Sequence, residues 1–311
     1  MNALAIVLEQ PERLSLSRLD ISPAGAEDVV VQVDWSGIST GTERLLWSGR
    51  MPHFPGMGYP LVPGYESVGR VVEVGPLSGR SIGDTVFVPG ARCFGEVRGL
   101  FGGAASMLTV PGSRTVPVED RLGEQAILLA LAATAYHVRT GIAAGSGELI
   151  VGHGVLGRLL ARLSVLGGGD PVVWERNPQR AGGAQGYRVI DPSEDRATYR
   201  TITDVSGDSR ILDMLVSKLS PGGEVVLAGF YDEPLSFAFP PAFMREARIR
   251  VSAEWREPDL AAVSALIANG RLSLDGLITH RSRAADAEAA YRTAFDDPSC
   301  LKMVLDWRDC A

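Results

Sequence analysis

Between Glu148 and Leu166 the chain reads ELIVGHGVLGRLLARLSVL, and no other stretch of its 311 residues restricts the fold as tightly. An apolar run, Leu149–Val151, leads into Gly152-His153-Gly154-Val155-Leu156-Gly157, and a second apolar run, Leu159–Leu166, follows. A G-x-G-x-x-G alone is a weak signal; placed between a strand and a helix it becomes specific. Gly152 permits the tight turn, Gly154 lets the backbone approach a pyrophosphate, and Gly157 lets helix and strand pack closely. Val155 and Leu156 open the helix, whose free N–H groups and partial positive charge suit phosphate. The alternative is a glycine-rich turn with no cofactor.

The next strand, PVVWERN, ends at Glu175, 18 residues after Gly157. A carboxylate there accepts hydrogen bonds from the adenosine ribose hydroxyls and repels a 2′-phosphate, which favours NAD over NADP. Arg176 pulls the other way, because a guanidinium can hold that phosphate. With the later GGEVVLAGFY, these strands are apolar on both faces, so an α/β unit with a doubly wound parallel sheet is expected.

The first 120 residues differ in character. Short alternating or β-branched runs, Asp28–Ile38, Ser67–Pro76 and Gly83–Gly90, are punctuated by Gly and Pro, which marks a β-rich, barrel-like unit. Gly123–Ala143 has apolar residues at helical spacing and predicts a helix. The tail predicts a strand near Ile278, a helix over Ala284–Phe295 and a final strand, LKMVLDW. The expected organisation is a β-rich domain over 1–120, completed by 271–311, with the parallel-sheet domain inserted over 121–270.

Composition narrows the partners. Hydrophobic residues make up 45% and charged residues 22%, and the net charge of −7 argues against nucleic acid and anionic membrane. No apolar run reaches the ~18 residues that a membrane span needs. MNALAIVLEQ reads as a strand with neither a cationic lead-in nor a cleavage site, so a cytoplasmic protein is expected. Cys93, Cys300 and Cys310 are too few and too scattered for a disulfide framework or a cysteine-rich zinc lobe.

SGISTGTE (Ser36–Glu43) resembles the Cys-Gly-Ile-Cys-Gly-Thr-Asp segment of the medium-chain dehydrogenases. PGYE (Pro63–Glu66) resembles their Pro-Gly-His-Glu, and GDTVFV resembles their Gly-Asp-x-Val strand. The resemblance implies a GroES-like, β-rich catalytic domain with an inserted Rossmann domain. Zinc-dependent members hold the metal with Cys, His and a second Cys or an acid. Here Ser39 or Thr40 stands at the first position and Tyr65 at the second, and AILLALAATAYH offers no ligand before His137. Neutral hydroxyls are poor zinc ligands, so no metal is expected. Hydride transfer to NAD survives that loss, but the alcohol proton then needs a hydroxyl relay or a base. Tyr65 is the candidate: a phenol, ordinarily near pH 10, that a bound nicotinamide cation would depress. Ser39 and Thr42 would carry the proton onward, and Glu66 would support the site. The alternative is that Tyr65 merely fills the space vacated by histidine and metal.

Trp47–Glu66, WSGRMPHFPGMGYPLVPGYE, together with VFVPGARCF and GLFGGAAS, resembles the family of bacteriochlorophyllide a dehydrogenases over nearly the whole chain. The resemblance implies NAD-dependent oxidation of a 3-(1-hydroxyethyl) side chain to 3-acetyl on a tetrapyrrole. Trp47, Phe54, Met57 and Tyr59 would offer an apolar wall to the macrocycle, along with Met51. His53 would ligate its magnesium, and Arg50 would pair with its propionate. His137 and His280 are expected to tie the two domains by hydrogen bonds, while the His153 side chain has no assigned role. A homo-oligomer is expected by analogy. Two alternatives remain: a zinc-free NADPH quinone or enoyl reductase, and a non-catalytic NAD-binding scaffold.

Overall fold

The computed structural model describes residues 1–53, 56–142 and 147–310. The chain divides into two compact units: residues 1–130 with 277–311, and residues 131–276.

The first unit begins with β1 (Asn2–Gln10), β2 (Arg13–Asp20) and β3 (Asp28–Ile38), followed by α1 (Thr42–Ser48). After them come β4 (Leu61–Val62), β5 (Ser67–Val74), β6 (Thr85–Val88), β7 (Arg98–Gly99), β8 (Met107–Pro111) and β9 (Val116–Pro117). The strand predicted over Asp28–Ile38 forms with those bounds as β3. Its Val29, Val31 and Val33 are at most 1% exposed because they face the hydrophobic core of this unit, and the strand pairs antiparallel with both β5 and β8. α1 stops at Gly49, which takes the left-handed conformation at φ 70° that a side chain disfavours.

The second unit begins two residues into α2 (Leu129–Arg139) and holds β10 (Glu148–Val151), α3 (Val155–Leu166), β11 (Val172–Trp174), β12 (Arg188–Ile190) and β13 (Tyr199–Asp204). It continues through α4 (Leu212–Ser217), β14 (Leu219–Leu227), α5 (Phe239–Met244), β15 (Arg248–Val251) and α6 (Glu257–Ala268). The helix predicted from Gly123 starts later. Gly123 sits at φ 49°, ψ −131°, so residues 120–128 form kinked 3-10 turns before α2 begins. All six strands pair in parallel, in the order β12-β11-β10-β13-β14-β15. That order reverses between β10 and β13, and the crevice beyond the strand ends at such a point is where dinucleotides bind. The expected α/β class and doubly wound parallel sheet are both present.

The chain then returns to the first unit with β16 (His280–Arg283), α7 (Ala287–Asp296) and β17 (Met303–Asp306). β17 pairs antiparallel with β3, so the last strand lies against the segment that leads into Ser39. Trp307, 1% exposed, donates its indole N–H to Ser36 Oγ at 2.8 Å and fixes this junction. Among the described residues no helix is long and apolar enough to cross a membrane.

Candidate active site

The loop after β3 carries the first cluster. Tyr65, partly buried, donates its hydroxyl to Ser39 Oγ at 2.7 Å, and its ring meets Phe101 edge-on at 5.5 Å. The structure therefore brings Ser39, and not its neighbour Thr40, to the phenol. Burial pushes the Tyr65 phenol above its ordinary range and the Glu66 charge adds to the rise, while hydrogen bonds with Ser39 and Thr42 oppose it. In the resting protein the shift is thus upward, opposite to the depression expected from a nicotinamide cation.

Glu66 is fully buried and faces Lys302, whose ammonium donates to Glu66 Oε2 at 2.7 Å and to the Ile38 carbonyl at 3.2 Å. Gly37 is what makes room for this pair, since a Cβ there would stand 2.3 Å from Glu66 Oε2. The sequence reading missed Lys302. Its signal was a lysine standing before the apolar run Met303–Leu305 of the final strand. Glu43 was missed as well: it is 1% exposed and accepts from Ser39 N–H at 2.9 Å and from the Tyr291 hydroxyl at 2.6 Å. Among the described residues no group of three or more His, Cys, Asp or Glu side chains is placed to hold a metal.

The segment expected to form a pigment wall is divided between core and surface. Trp47 belongs to the core: it is 8% exposed, packs on Tyr291 and Phe295 of α7, each 6.2 Å away, and lies under the Arg292 guanidinium. Helical spacing in α1 turns it inward. Met51 is buried too, and Met57 and Tyr59 pack against the same core. The Tyr59 hydroxyl donates to the Leu46 carbonyl. His53 is exposed, as is Arg50, which donates to Ser48 Oγ at 3.3 Å. Phe54 lies outside the described residues.

In the second unit Gly152 ends β10 at φ 106°, and a Cβ on Gly157 would stand 1.8 Å from the Gly152 carbonyl oxygen. A Cβ on Gly154 would meet nothing within 4 Å. Open space therefore lies beside the start of α3, where Val155 and Leu156 present first-turn N–H groups without intrahelical acceptors. Glu175 accepts from Asn177 N–H at 2.8 Å and His153 N–H at 3.2 Å, leaving lone pairs for two ribose hydroxyls. Arg176 beside it is exposed. These residues fit a nicotinamide dinucleotide.

The His153 side chain acquires a role that the sequence did not suggest. The ring is fully buried, its Nδ1–H donating to the Arg180 carbonyl at 2.7 Å and its Nε2 accepting from Tyr187 at 2.9 Å. Burial pushes its pKa down to about 4, so the ring is neutral near pH 7. With Arg158, which donates to the Arg180 and Gly182 carbonyls, it pins the connection between β11 and β12. His137 and His280 bond within their own units, not between domains. His137 pairs with Asp259 at 2.8 Å, and His280 bonds Thr279 at 2.9 Å.

Residues 25–120 match the alcohol dehydrogenase GroES-like domain family. The fold is shared with an Escherichia coli alcohol dehydrogenase complexed with NADH, at TM-score 0.82 and 22% identity over 98% of this chain and 99% of that one. It is also shared with L-idonate 5-dehydrogenase from Escherichia coli, at TM-score 0.86 and 19% identity over 98% of each chain. The 2-desacetyl-2-hydroxyethyl bacteriochlorophyllide A dehydrogenase of Rhodobacter capsulatus is 54% identical over 99% of each chain. Its counterpart in Cereibacter sphaeroides is 53% identical over the full length of both. With identity above half along its entire length to two such enzymes, this chain belongs to the 2-desacetyl-2-hydroxyethyl bacteriochlorophyllide A dehydrogenase family.

Proposed function

We propose that this protein oxidises the 3-(1-hydroxyethyl) side chain of a bacteriochlorophyllide to a 3-acetyl group, with NAD as oxidant and with protein hydroxyls in place of a metal. The observation that carries the reading is the Tyr65–Ser39 hydroxyl pair, 2.7 Å long, at the positions where zinc-dependent relatives of this fold hold their metal. Bound NAD⁺ would supply the hydride acceptor for the carbinol carbon. The chain's own residues manage the proton. The substrate hydroxyl donates to the Tyr65 oxygen as the Tyr65 proton moves to Ser39 Oγ, and Ser39 releases its own hydroxyl proton to solvent in the same step; Thr42, also bonded to the phenol, offers a second route outward. Because the phenol is held protonated at rest, Tyr65 passes a proton on and never stores a negative charge. Lys302 and Glu66 hold the backbone beneath the pair.

The test mixes protein, NAD⁺ and the hydroxyethyl pigment, with and without a strong zinc chelator. NADH absorbance and a red-shifted pigment band, unaffected by chelator, are the expected result. Turnover lost to the chelator and restored by zinc would remove the hydroxyl relay, and no turnover at all would remove the reading. The scaffold alternative predicts that last outcome, and the NADPH reductase alternative predicts activity only in the reductive direction.

NAD is preferred to NADP in this proposal because Glu175 keeps lone pairs for ribose hydroxyls and its charge would repel a 2′-phosphate. Glu175→Ser should weaken NAD about tenfold and improve NADP, so that the preference narrows or reverses. Steady-state kinetics with both cofactors checks this. Unchanged selectivity would shift the discrimination to Arg176 or elsewhere. The proposal also places the enzyme in the cytoplasm, where an NAD pool is available.

A homo-oligomer formed through β15 completes the proposal. Among the described residues β15 ends the sheet, and no strand pairs with its outer edge. Val251 in this strand is 75% exposed, and beside it Met244, 74% exposed, and Phe239 and Phe243, each 65%, line a groove of 460 Å³. An exposed apolar edge of this kind is a pairing site or a liability. A second copy related by a two-fold axis offers the same strand and the same apolar side chains, so the surface complements itself. Light scattering should show a dimer or larger species for wild type and monomers for Val251→Asp combined with Phe243→Asp.

A further inference from the structure

Ser39 must stand still to receive a proton from Tyr65, yet it lies in a loop, one residue past the end of β3. What fixes it is Glu43. The Ser39 N–H donates to Glu43 Oε1 at 2.9 Å, and the Glu43 N–H donates to the Ser39 carbonyl at 3.1 Å. Both backbone groups of Ser39 are thus held by one residue. The other carboxylate oxygen, Glu43 Oε2, accepts from the Tyr291 hydroxyl at 2.6 Å. Tyr291 is 1% exposed on α7, where it stacks edge-on against Phe295 at 5.7 Å and lies 6.2 Å from Trp47. Two hydrogen bonds at the two oxygens of one carboxylate therefore connect α7, where Tyr291 lies 248 residues along the chain from Glu43, to the loop that carries the acceptor hydroxyl.

Burying an acid this deeply is costly, so the site that retains it must gain from its geometry. Glu43 is pushed up to about 7, first by burial and also by the nearby Glu66 charge, against the bonds from Tyr291 and Ser39 and the Lys302 ammonium. Those are the ionisable groups around it, together with Tyr65 itself. A neutral residue of the same shape would avoid the cost but would have to reproduce both contacts.

We propose that Glu43 is a positioning residue of the proton relay: by bridging Tyr291 to the Ser39 backbone, it holds Ser39 Oγ where Tyr65 can pass it a proton. The proposal rests on the alcohol-oxidation reading for its kinetic consequence and on geometry alone for its structural one. Glu43 touches neither pigment nor cofactor in this scheme, so substrate affinity is not its responsibility.

Three variants test it: Glu43→Leu, Glu43→Gln and Tyr291→Phe. Leucine removes both side-chain contacts, and a misplaced acceptor should lower kcat about 100-fold while the pigment KM and NADH affinity stay within about twofold. Glutamine can accept from Ser39 N–H while its amide donates to the Tyr291 oxygen, so it should bring kcat back to within about fivefold of wild type. Tyr291→Phe keeps the Ser39 bond but frees the far end of the carboxylate, and should fall between the two. Hydrogen exchange over residues 36–43 supplies a readout without substrate, faster in Glu43→Leu and in Tyr291→Phe than in wild type, and slow again in Glu43→Gln. A kcat unchanged in Glu43→Leu, or a glutamine variant as damaged as the leucine one, would overturn the proposal. If Glu43→Leu does not fold, Tyr291→Phe decides, since unchanged exchange and unchanged kcat there would overturn it equally. A wild type inert toward the pigment counts against the alcohol-oxidation reading, and the exchange result still decides the role of Glu43.

Discussion

Tyr65→Phe is expected to lower kcat for the hydroxyethyl pigment by about two to four orders of magnitude, the range typical of losing a positioned proton-transfer group. The substitution deletes one oxygen and leaves the ring. The edge-on contact with Phe101 at 5.5 Å survives, so the fold and the pigment KM should hardly change. A fall of equal size in kcat and kcat/KM would mark an interaction made only in the transition state. Single-turnover mixing with NAD⁺ separates this from slow product release. The pH profile adds a second mark. Because burial and the Glu66 charge raise the phenol in the free protein, the kcat/KM profile for NAD⁺, which reports the free enzyme, should show no step as pH approaches 10, the ordinary range of a phenol. A Tyr65→Phe enzyme within threefold of wild type would make the phenol a space-filler and move the proton route elsewhere.

The parts of this molecule that could be read from sequence are those determined by near neighbours. The turn Gly152–Gly157 is specified by the strand before it and the helix after it, and both form where the pattern puts them. β3 announces itself because a strand covered on both sides needs β-branched residues along its length. The site in the first unit is different, because its geometry is set by distant partners. Choosing between Ser39 and Thr40 depends on Glu43, which in turn depends on Tyr291, 248 residues away along the chain. Lys302 reaches Glu66 across 236 residues. Trp47 looked like part of an exposed wall because the loop around it is rich in Pro and Gly, yet α7 supplies the aromatic surface that buries it. The His153 ring escaped notice for a related reason. Its value lies in pinning a connection, 175–187, where a 3-10 turn at Pro178–Arg180 stands in place of a crossover helix.

The Lys302–Glu66 pair supplies the second large effect. Both side chains are at most 1% exposed, and Glu66 Oε1 has no hydrogen-bond partner, so the carboxylate depends on one ammonium. Lys302→Met should cost about 3–5 kcal/mol, because it leaves a charge buried and unpaired. For a unit of this size that loss lowers the melting temperature by roughly 10 °C. Gly37→Ala should produce a milder form of the same damage: its new methyl would press on Glu66 Oε2, which has to leave Lys302 to relieve the clash. Replacing both ions, Lys302→Met with Glu66→Leu, removes the stranded charge and should recover most of the stability. Activity should not recover with it. Lys302 also donates to the Ile38 carbonyl, one residue before Ser39, and neither methionine nor leucine can restore that anchor. A double variant that melts near wild type but turns over slowly would therefore separate two roles of one ammonium, charge compensation and loop placement. If its kcat returned along with its stability, the pair would serve only the fold, and the placement of Ser39 would rest on Glu43 alone.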